Sequence, residues 1–391
     1  MKNVKRVRRD ESPSDISPRG LAGQAPISSF SCPSFSWPLL SSLFSVMRQG
    51  VLKVANRQKI VHFAIYIKTT RCETHSETVL DCARITRIVE LLVFGAGAMG
   101  SFFGGLLSQR HDVTLIGRGE HISAIKSHGL RISGKTAIIA KPRAATRVPQ
   151  NAKPEFVVVT TKSYDTANAM IALRPLGERA IFVTLQNGLG NADTIARTAR
   201  RVIAGTTAHG VTFVGPGEIR HAGIGETVLG AWSHVREADL VRFRNLLADV
   251  GIVASVTSDI RTELWSKLVV NAALNPIAAL AEVPNGRIVR DKRLLGIVES
   301  VCREATAVAK AEGAKVDEEE LRHRTLLVAK RTAANRASML QDLDRHHRTE
   351  IDAITGSIVR AAERHRIPVP LNAGLYALVR AREAAFRAAS A

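Results

Sequence analysis

Cysteine is scarce, with four in 391 residues, and three of those (Cys32, Cys72 and Cys82) precede the first glycine-rich motif while only Cys302 follows it. That distribution excludes a disulfide framework and a paired CxxC zinc site. No uninterrupted apolar run approaches the ~18 to 20 residues of a spanning helix, so no membrane segment is expected and the body reads as cytoplasmic. No internal repeat is present. The formal net charge of +20 suits anionic partners, but the excess is spread along the chain. It lacks both a dense basic run and interleaved aromatics, so no nucleic acid is expected as a partner. No repeated metal-ligand spacing occurs either, and Asp342, Asp344, His346 and His347 are read as surface residues with no metal to hold.

What remains is an ordinary apolar fraction of 45%, enough for two or three cored domains. Residues 1–86 stand apart. They mix charged and turn-rich stretches with Ser, Pro and scattered large apolar residues, show no helical or strand period, and carry Asp10, Glu11 and Asp15 where a targeting peptide would be acid-poor. A disordered or spurious extension is expected there, with Met47 as a conceivable internal start. From Ile85 onwards short Val/Ile-rich runs alternate with longer mixed segments, as in a parallel sheet with crossover helices. Candidate strands are Val89–Phe94, Asp112–Ile116, Phe156–Thr160 and Ile181–Leu185, and the glycines between Gly215 and Gly230 suggest a hairpin. After Ser258 helical periodicity takes over, with breaks expected at Asn275-Pro276 and around Pro368 and Pro370. The fold class is α/β: a Rossmann-like, doubly wound domain over 87–257 followed by an all-α domain over 258–391.

The run VFGAGAMG places Gly95, Ala96, Gly97, Ala98, Met99 and Gly100 between a strand and a helix-like segment. In such a unit the first glycine makes the tight turn, the second lets backbone approach a pyrophosphate, and the third lets helix and strand pack closely. The helix N-terminus supplies free N–H groups and a partial positive charge. The second strand ends in Gly117-Arg118-Gly119-Glu120. A guanidinium at that place accepts the 2′-phosphate of NADP(H), which is the cofactor expected, with Glu120 as the alternative ligand to a ribose hydroxyl. Lys162 and Asn187 follow the third and fourth candidate strands, on the edge where doubly wound sheets bind ligands.

In the helical half, Lys267, Asn271 and Asn275 recur at i, i+4 and i+8, so an amine and two carboxamides share one helical face. Asparagine is a poor helix former, and two of them beside one lysine in so apolar a segment suggest a buried hydrogen-bonded network rather than a solvated face. A lysine in such a pocket lowers its pKa and can act as acid or base. Ser338 falls in a loop-like stretch, and Glu350 is placed in the first turn of a helix whose Ile351, Ile354 and Ile358 face the core.

Read in order, GAGAMG, TKSYD, LQNGLG, WSKLVVNAALNP, RASMLQD and RTEID make the chain resemble the ketopantoate (2-dehydropantoate 2-) reductases of the 6-phosphogluconate dehydrogenase-like superfamily, over about Ile88 to Arg382. The resemblance implies NADPH-dependent reduction of 2-dehydropantoate to (R)-pantoate, on the route to pantothenate and coenzyme A. Lys267 would be the general acid and Glu350 would hold the substrate hydroxyl. Asn271, Asn275 and Ser338 would bind the rest of the substrate, and Lys162 and Asn187 would contact cofactor and substrate. The family departs from this chain at Thr355, where Asn is frequent, and at Arg366, where Gly is common. The alternatives carried forward are a reductase of another 2-oxo acid and a non-catalytic NADPH sensor. A homodimer is the assembly held as an expectation.

Overall fold

The computed structural model describes residues 87–389, with side chains described to Phe386. The expectations for residues 1–86 lie outside the described residues. Eight strands form the main sheet, in the order β12-β11-β8-β7-β6-β1-β2-β5. They are β1 (Glu90–Phe94), β2 (Asp112–Ile116), β5 (Arg143–Ala145), β6 (Phe156–Val159), β7 (Ile181–Thr184), β8 (Arg201–Thr207), β11 (Thr227–Ser233) and β12 (Ala254–Val256). The series from β5 to β8 is parallel, and β11 then runs antiparallel to β8. The central strands read as continuous apolar runs because both of their faces are covered. Leu91, Val93, Phe156 and Val158 point into one core, while Leu92, Val157, Val159 and Phe182 point into the opposite one. Helices α1 (Ala98–Leu107) and α5 (Glu237–Ala248) close the first face; α3 (Thr166–Leu173) and α4 (Asn191–Ala196) close the second. Helix α2 (Gly119–His128) follows β2.

A separate four-stranded sheet, β4-β3-β10-β9, is built from β3 (Leu130–Gly134), β4 (Ile138–Ala140), β9 (Gly210–Gly215) and β10 (Glu218–Gly223). The hairpin expected in the glycine-rich stretch is its β9–β10 pair, turned at Gly217. Histidines pin this sheet to α1. His121 joins Ser101 of α1 to the Gly217 N–H at 2.9 Å on each side. His209 and His221 contact each other at 3.1 Å and pack against Phe102. Burial holds all four of His111, His121, His209 and His221 below the usual histidine range, and His209 falls to about 4. The unfolded chain takes up these protons near pH 6.5, whereas the folded one takes each up at lower pH, His209 only near pH 4, so this stability is intact above pH 6.5 and is lost as the pH falls below it. The melting temperature is accordingly expected to drop between pH 6.5 and 4.5, and to drop less in His209→Gln, as read by calorimetry.

The second half is helical: α6 (Ile260–Ala281), α7 (Asn285–Ile288), α8 (Lys292–Ala311), α9 (Glu318–Arg331), α10 (Ser338–Asp344), α11 (Thr355–His365) and α12 (Pro370–Ala389). Asp259, Asp291 and Asp317 cap α6, α8 and α9 by accepting backbone N–H bonds. The break expected at Asn275-Pro276 does not occur, since α6 runs through a buried Pro276 as one 22-residue helix. Packing of α8, α9, α10 and α12 around α6 outweighs the one backbone bond that proline removes. α6 is also the one described helix long and apolar enough to cross a membrane, but it is mostly buried within the protein. The breaks around Pro368 and Pro370 do occur, α11 ending at His365 and α12 beginning at Pro370. Arg366 occupies a left-handed conformation (φ 54°) at the α11 C-cap, the position a glycine fills without strain.

Candidate active site

The first wall of the site is the turn after β1. Gly95 has φ 107°, and a Cβ there would meet the Thr161 backbone nitrogen at 2.5 Å. Its N–H and that of Ala96 both donate to the Ile116 carbonyl at the end of β2, which fixes the turn. A Cβ on Gly100 would collide with the Gly95 carbonyl, so α1 packs tightly under the turn, whereas Gly97 is exposed with open space above it. Ala98 and Met99 open α1, whose N-terminus carries neither a side-chain cap nor an acid. Its free N–H groups and positive dipole end suit a phosphate. Arg118 is the N-cap of α2, exposed and without an ion pair among the described residues; Glu120 sits exposed in that helix's first turn.

The second wall is formed by the ends of β6 and β7. Lys162 follows β6, and its Nζ contacts Asp342 Oδ2 at 2.7 Å and Glu350 Oε2 at 3.9 Å. Burial pulls the lysine pKa down, but Glu350 and Asp342 outweigh it and hold the ammonium above its usual range. Burial pushes the Asp342 carboxyl up despite Lys162, so the pair only partly offsets the cost of removing that carboxylate from water. This corrects the reading of Asp342 as a surface residue. Asp344, His346 and His347 are exposed, with Asp344 paired to Arg336 and His346 stacked on Phe386.

Glu350 also departs from its expected place. It lies in a bend five residues ahead of α11 rather than in the helix's first turn, and it is 7% exposed. Its Oε1 accepts the Ser163 N–H at 3.0 Å, and its Oε2 accepts from Asn187 Nδ2 at 3.2 Å. The loop after β7 docks onto this bend through backbone: Leu189 N donates to the Ala353 carbonyl at 3.0 Å, and Gly188, with φ 81°, leaves no room beside Ala353 for a Cβ. Gln186, which sequence reasoning passed over, holds the two strand ends together by donating to the Thr161 carbonyl at 2.9 Å and Thr166 Oγ1 at 2.8 Å. Its only signal was its place within LQNGLG.

The third wall is α6. Lys267, Asn271 and Asn275 are the partly exposed positions in a segment whose neighbours Leu268, Val269, Ala272 and Ala273 are buried, as the i, i+4, i+8 spacing requires. The network expected among them is absent, because no side-chain hydrogen bond or ion pair engages any of the three. Their donors and acceptors are thus uncommitted to protein. Desolvation lowers the Lys267 pKa to about 8; Glu350 acts in the opposite direction, placing that carboxylate within electrostatic reach, and Arg324 adds to the depression. Ser338 is the exposed first residue of α10, one turn before Asp342. The structure therefore brings Lys162, Asn187, Glu350 and Asp342 into one cluster. Lys267 is coupled to it through Glu350, while Arg118 and the glycine turn occupy the β1/β2 side of the same sheet edge. Among the described residues no group of His, Cys, Asp and Glu is arranged to hold a metal.

Comparison with known proteins identifies the family. The family described as ketopantoate reductase PanE/ApbA matches residues 91–234, and its C-terminal counterpart matches 259–383. A 2-dehydropantoate 2-reductase of Pyrococcus horikoshii is 39% identical over 298 residues, covering 75% of this chain and 98% of the relative. The crystal structure of a PanE/ApbA family ketopantoate reductase from Ralstonia eutropha is 34% identical, with a TM-score of 0.71 over 76% of this chain and 99% of that one. D-mandelate dehydrogenase, in a ternary structure with NADH and anilino(oxo)acetate, is 26% identical with a TM-score of 0.73 over 76% and 99%. The chain belongs to the PanE/ApbA ketopantoate reductase family.

Proposed function

We propose that this protein reduces 2-dehydropantoate to (R)-pantoate with NADPH. The observation that carries the reading is a desolvated Lys267, its pKa lowered to about 8, beside two uncommitted carboxamides and within reach of Glu350. The identity to 2-dehydropantoate 2-reductases supports the substrate.

The turn at Gly95–Gly100 and the α1 N-terminus would hold the pyrophosphate, and Arg118 the 2′-phosphate. When bound, the cofactor supplies hydride to the 2-oxo carbon. The chain's own residues do the rest. At neutral pH Lys267 is an ammonium that is only weakly solvated, so it stabilises negative charge developing on the 2-oxo oxygen and then protonates it. Asn271 and Asn275, one and two turns along the same face, offer fixed amide dipoles to the substrate. Ser338 would bind its carboxylate end. Glu350, already accepting two N–H bonds inside the crevice, would accept the substrate hydroxyl and hold Lys267 protonated more than burial alone would allow.

Arg118 supports NADPH over NADH because its guanidinium is exposed and unpaired at the end of β2. Arg118→Gln is expected to raise KM for NADPH by roughly tenfold or more, the scale of one lost charge-assisted bond, and to leave KM for NADH nearly unchanged. Steady-state assays with both cofactors check this. A second reading, a reductase of another 2-oxo acid, is favoured by the fold match to D-mandelate dehydrogenase. A substrate panel that includes the aryl 2-oxo acid related to mandelate separates the two: preference for 2-dehydropantoate supports the first reading, and preference for the aryl acid replaces it.

A further inference from the structure

We propose that a second pocket, outside the crevice, binds a small carboxylate- or phosphate-bearing anion and so modulates the reaction. The pocket encloses about 290 Å³, near the lower end of ligand-sized cavities. It lies between the loop after β7, the start of α6 and the outer face of α11.

Its polar lining is dominated by donors with nothing anionic to satisfy them. The Arg261 guanidinium lies 4.1 Å over the Trp232 ring and pairs with no carboxylate among the described residues. Arg360 donates to the Asp352 carbonyl and to Ser357 Oγ, both neutral, so its charge is uncompensated. Trp265 is 6% exposed, and its indole N–H has no protein acceptor. The lining holds three arginines against two carboxylates: Glu312 is matched by Arg364 and His365, and Asp193 is exposed, as are Arg261 and Arg360, and forms no ion pair among the described residues. Two guanidiniums free of carboxylates and a neutral indole donor around one small cavity select an oxyanion, which takes charge-assisted bonds from the arginines and a further bond from the indole.

The elements that line the pocket also carry the site. Arg261 and Trp265 are on α6, upstream of Lys267 on the same helix. Gln186 and Gly188 line the pocket while Asn187 between them donates to Glu350. Arg360 donates to the Asp352 carbonyl in the turn that holds Glu350, and Leu189 is bonded to Ala353 in that turn. An anion drawing Arg261 and Arg360 together therefore acts on both supports of the Lys267–Glu350 pair.

The test is calorimetric titration of the full chain, saturated with NADP+, with inorganic phosphate and separately with malonate. Saturable binding of at least one anion is expected, and which one binds separates phosphate from carboxylate ligands. The affinity is expected to fall tenfold or more in Arg261→Gln/Arg360→Gln, to fall measurably in Trp265→Phe, and to be unchanged in Arg118→Gln. Arg261→Gln alone, which leaves the Arg360 bond to the Asp352 carbonyl in place, is expected to keep wild-type turnover without anion, and saturating anion is expected to change wild-type kcat or KM at least twofold. Absence of saturable binding overturns the proposal, as does equal affinity in the double variant or binding with no effect on rate.

Discussion

Replacing Lys267 with alanine is expected to lower kcat/KM for 2-oxo acid reduction by about 10³-fold while leaving NADPH affinity within about twofold. Positioned general acids contribute ~10² to 10⁴-fold, and Lys267 combines that role with direct stabilisation of the developing alkoxide. The fold is expected to tolerate the change, because this ammonium is held in a place that disfavours it; with its pKa lowered to about 8, removing it relieves a desolvation cost at neutral pH. The melting temperature should therefore hold or rise as activity collapses, and calorimetry beside steady-state kinetics reads both. A lost activity accompanied by a lost fold contradicts the assignment. In the wild type the protonated form does the work, so the reduction rate at saturating substrate is expected to be level below pH 7 and to fall about tenfold per unit above pH 8.

Glu350→Gln is expected to reduce kcat/KM by about 10²-fold, the scale of losing a charged hydrogen-bond partner in a desolvated site. It carries a second signature. Glu350 raises the Lys267 pKa against burial and Arg324, so neutralising it moves the alkaline limb of the rate profile to lower pH. A variant that loses activity with the limb unmoved shows Glu350 acting on substrate alone. Lys162 keeps its 2.7 Å contact with Asp342, so the domain edge it supports is expected to remain closed in the variant.

The parts of this site that were legible in the sequence are those with a local signature of spacing, composition or turn residues. The glycine turn follows from turn chemistry, the buried central strands from short continuous apolar runs, and the Lys267-Asn271-Asn275 face from the 3.6-residue period. The short strands β4, β5 and β12 escaped because three residues are too few to show an alternation, and β3 alternates only over Leu130 to Ser133. Pro276 read as a break because local propensity cannot register the four helices that pack around α6. Asp342 looked like one acid in a charged surface run; only the fold carries Lys162, distant in sequence, to it. Glu350 was recognised, but its place ahead of α11 depends on a turn closed by its own carbonyl, which accepts from Ala353 and Ile354. The cations of the second pocket come from α6 and α11, far apart in the chain, with Trp232 from β11 between them, and no single motif unites them.

The most direct test of the central claim is the oxidation of NADPH by full-length protein with 2-dehydropantoate at pH 7, read by loss of its near-ultraviolet absorbance, with the chirality of the product determined and Lys267→Ala run alongside. The account predicts stoichiometric NADPH consumption, (R)-pantoate as the product and a rate about 10³-fold lower in the variant. NADPH binding without turnover, or turnover that survives loss of Lys267, would contradict it.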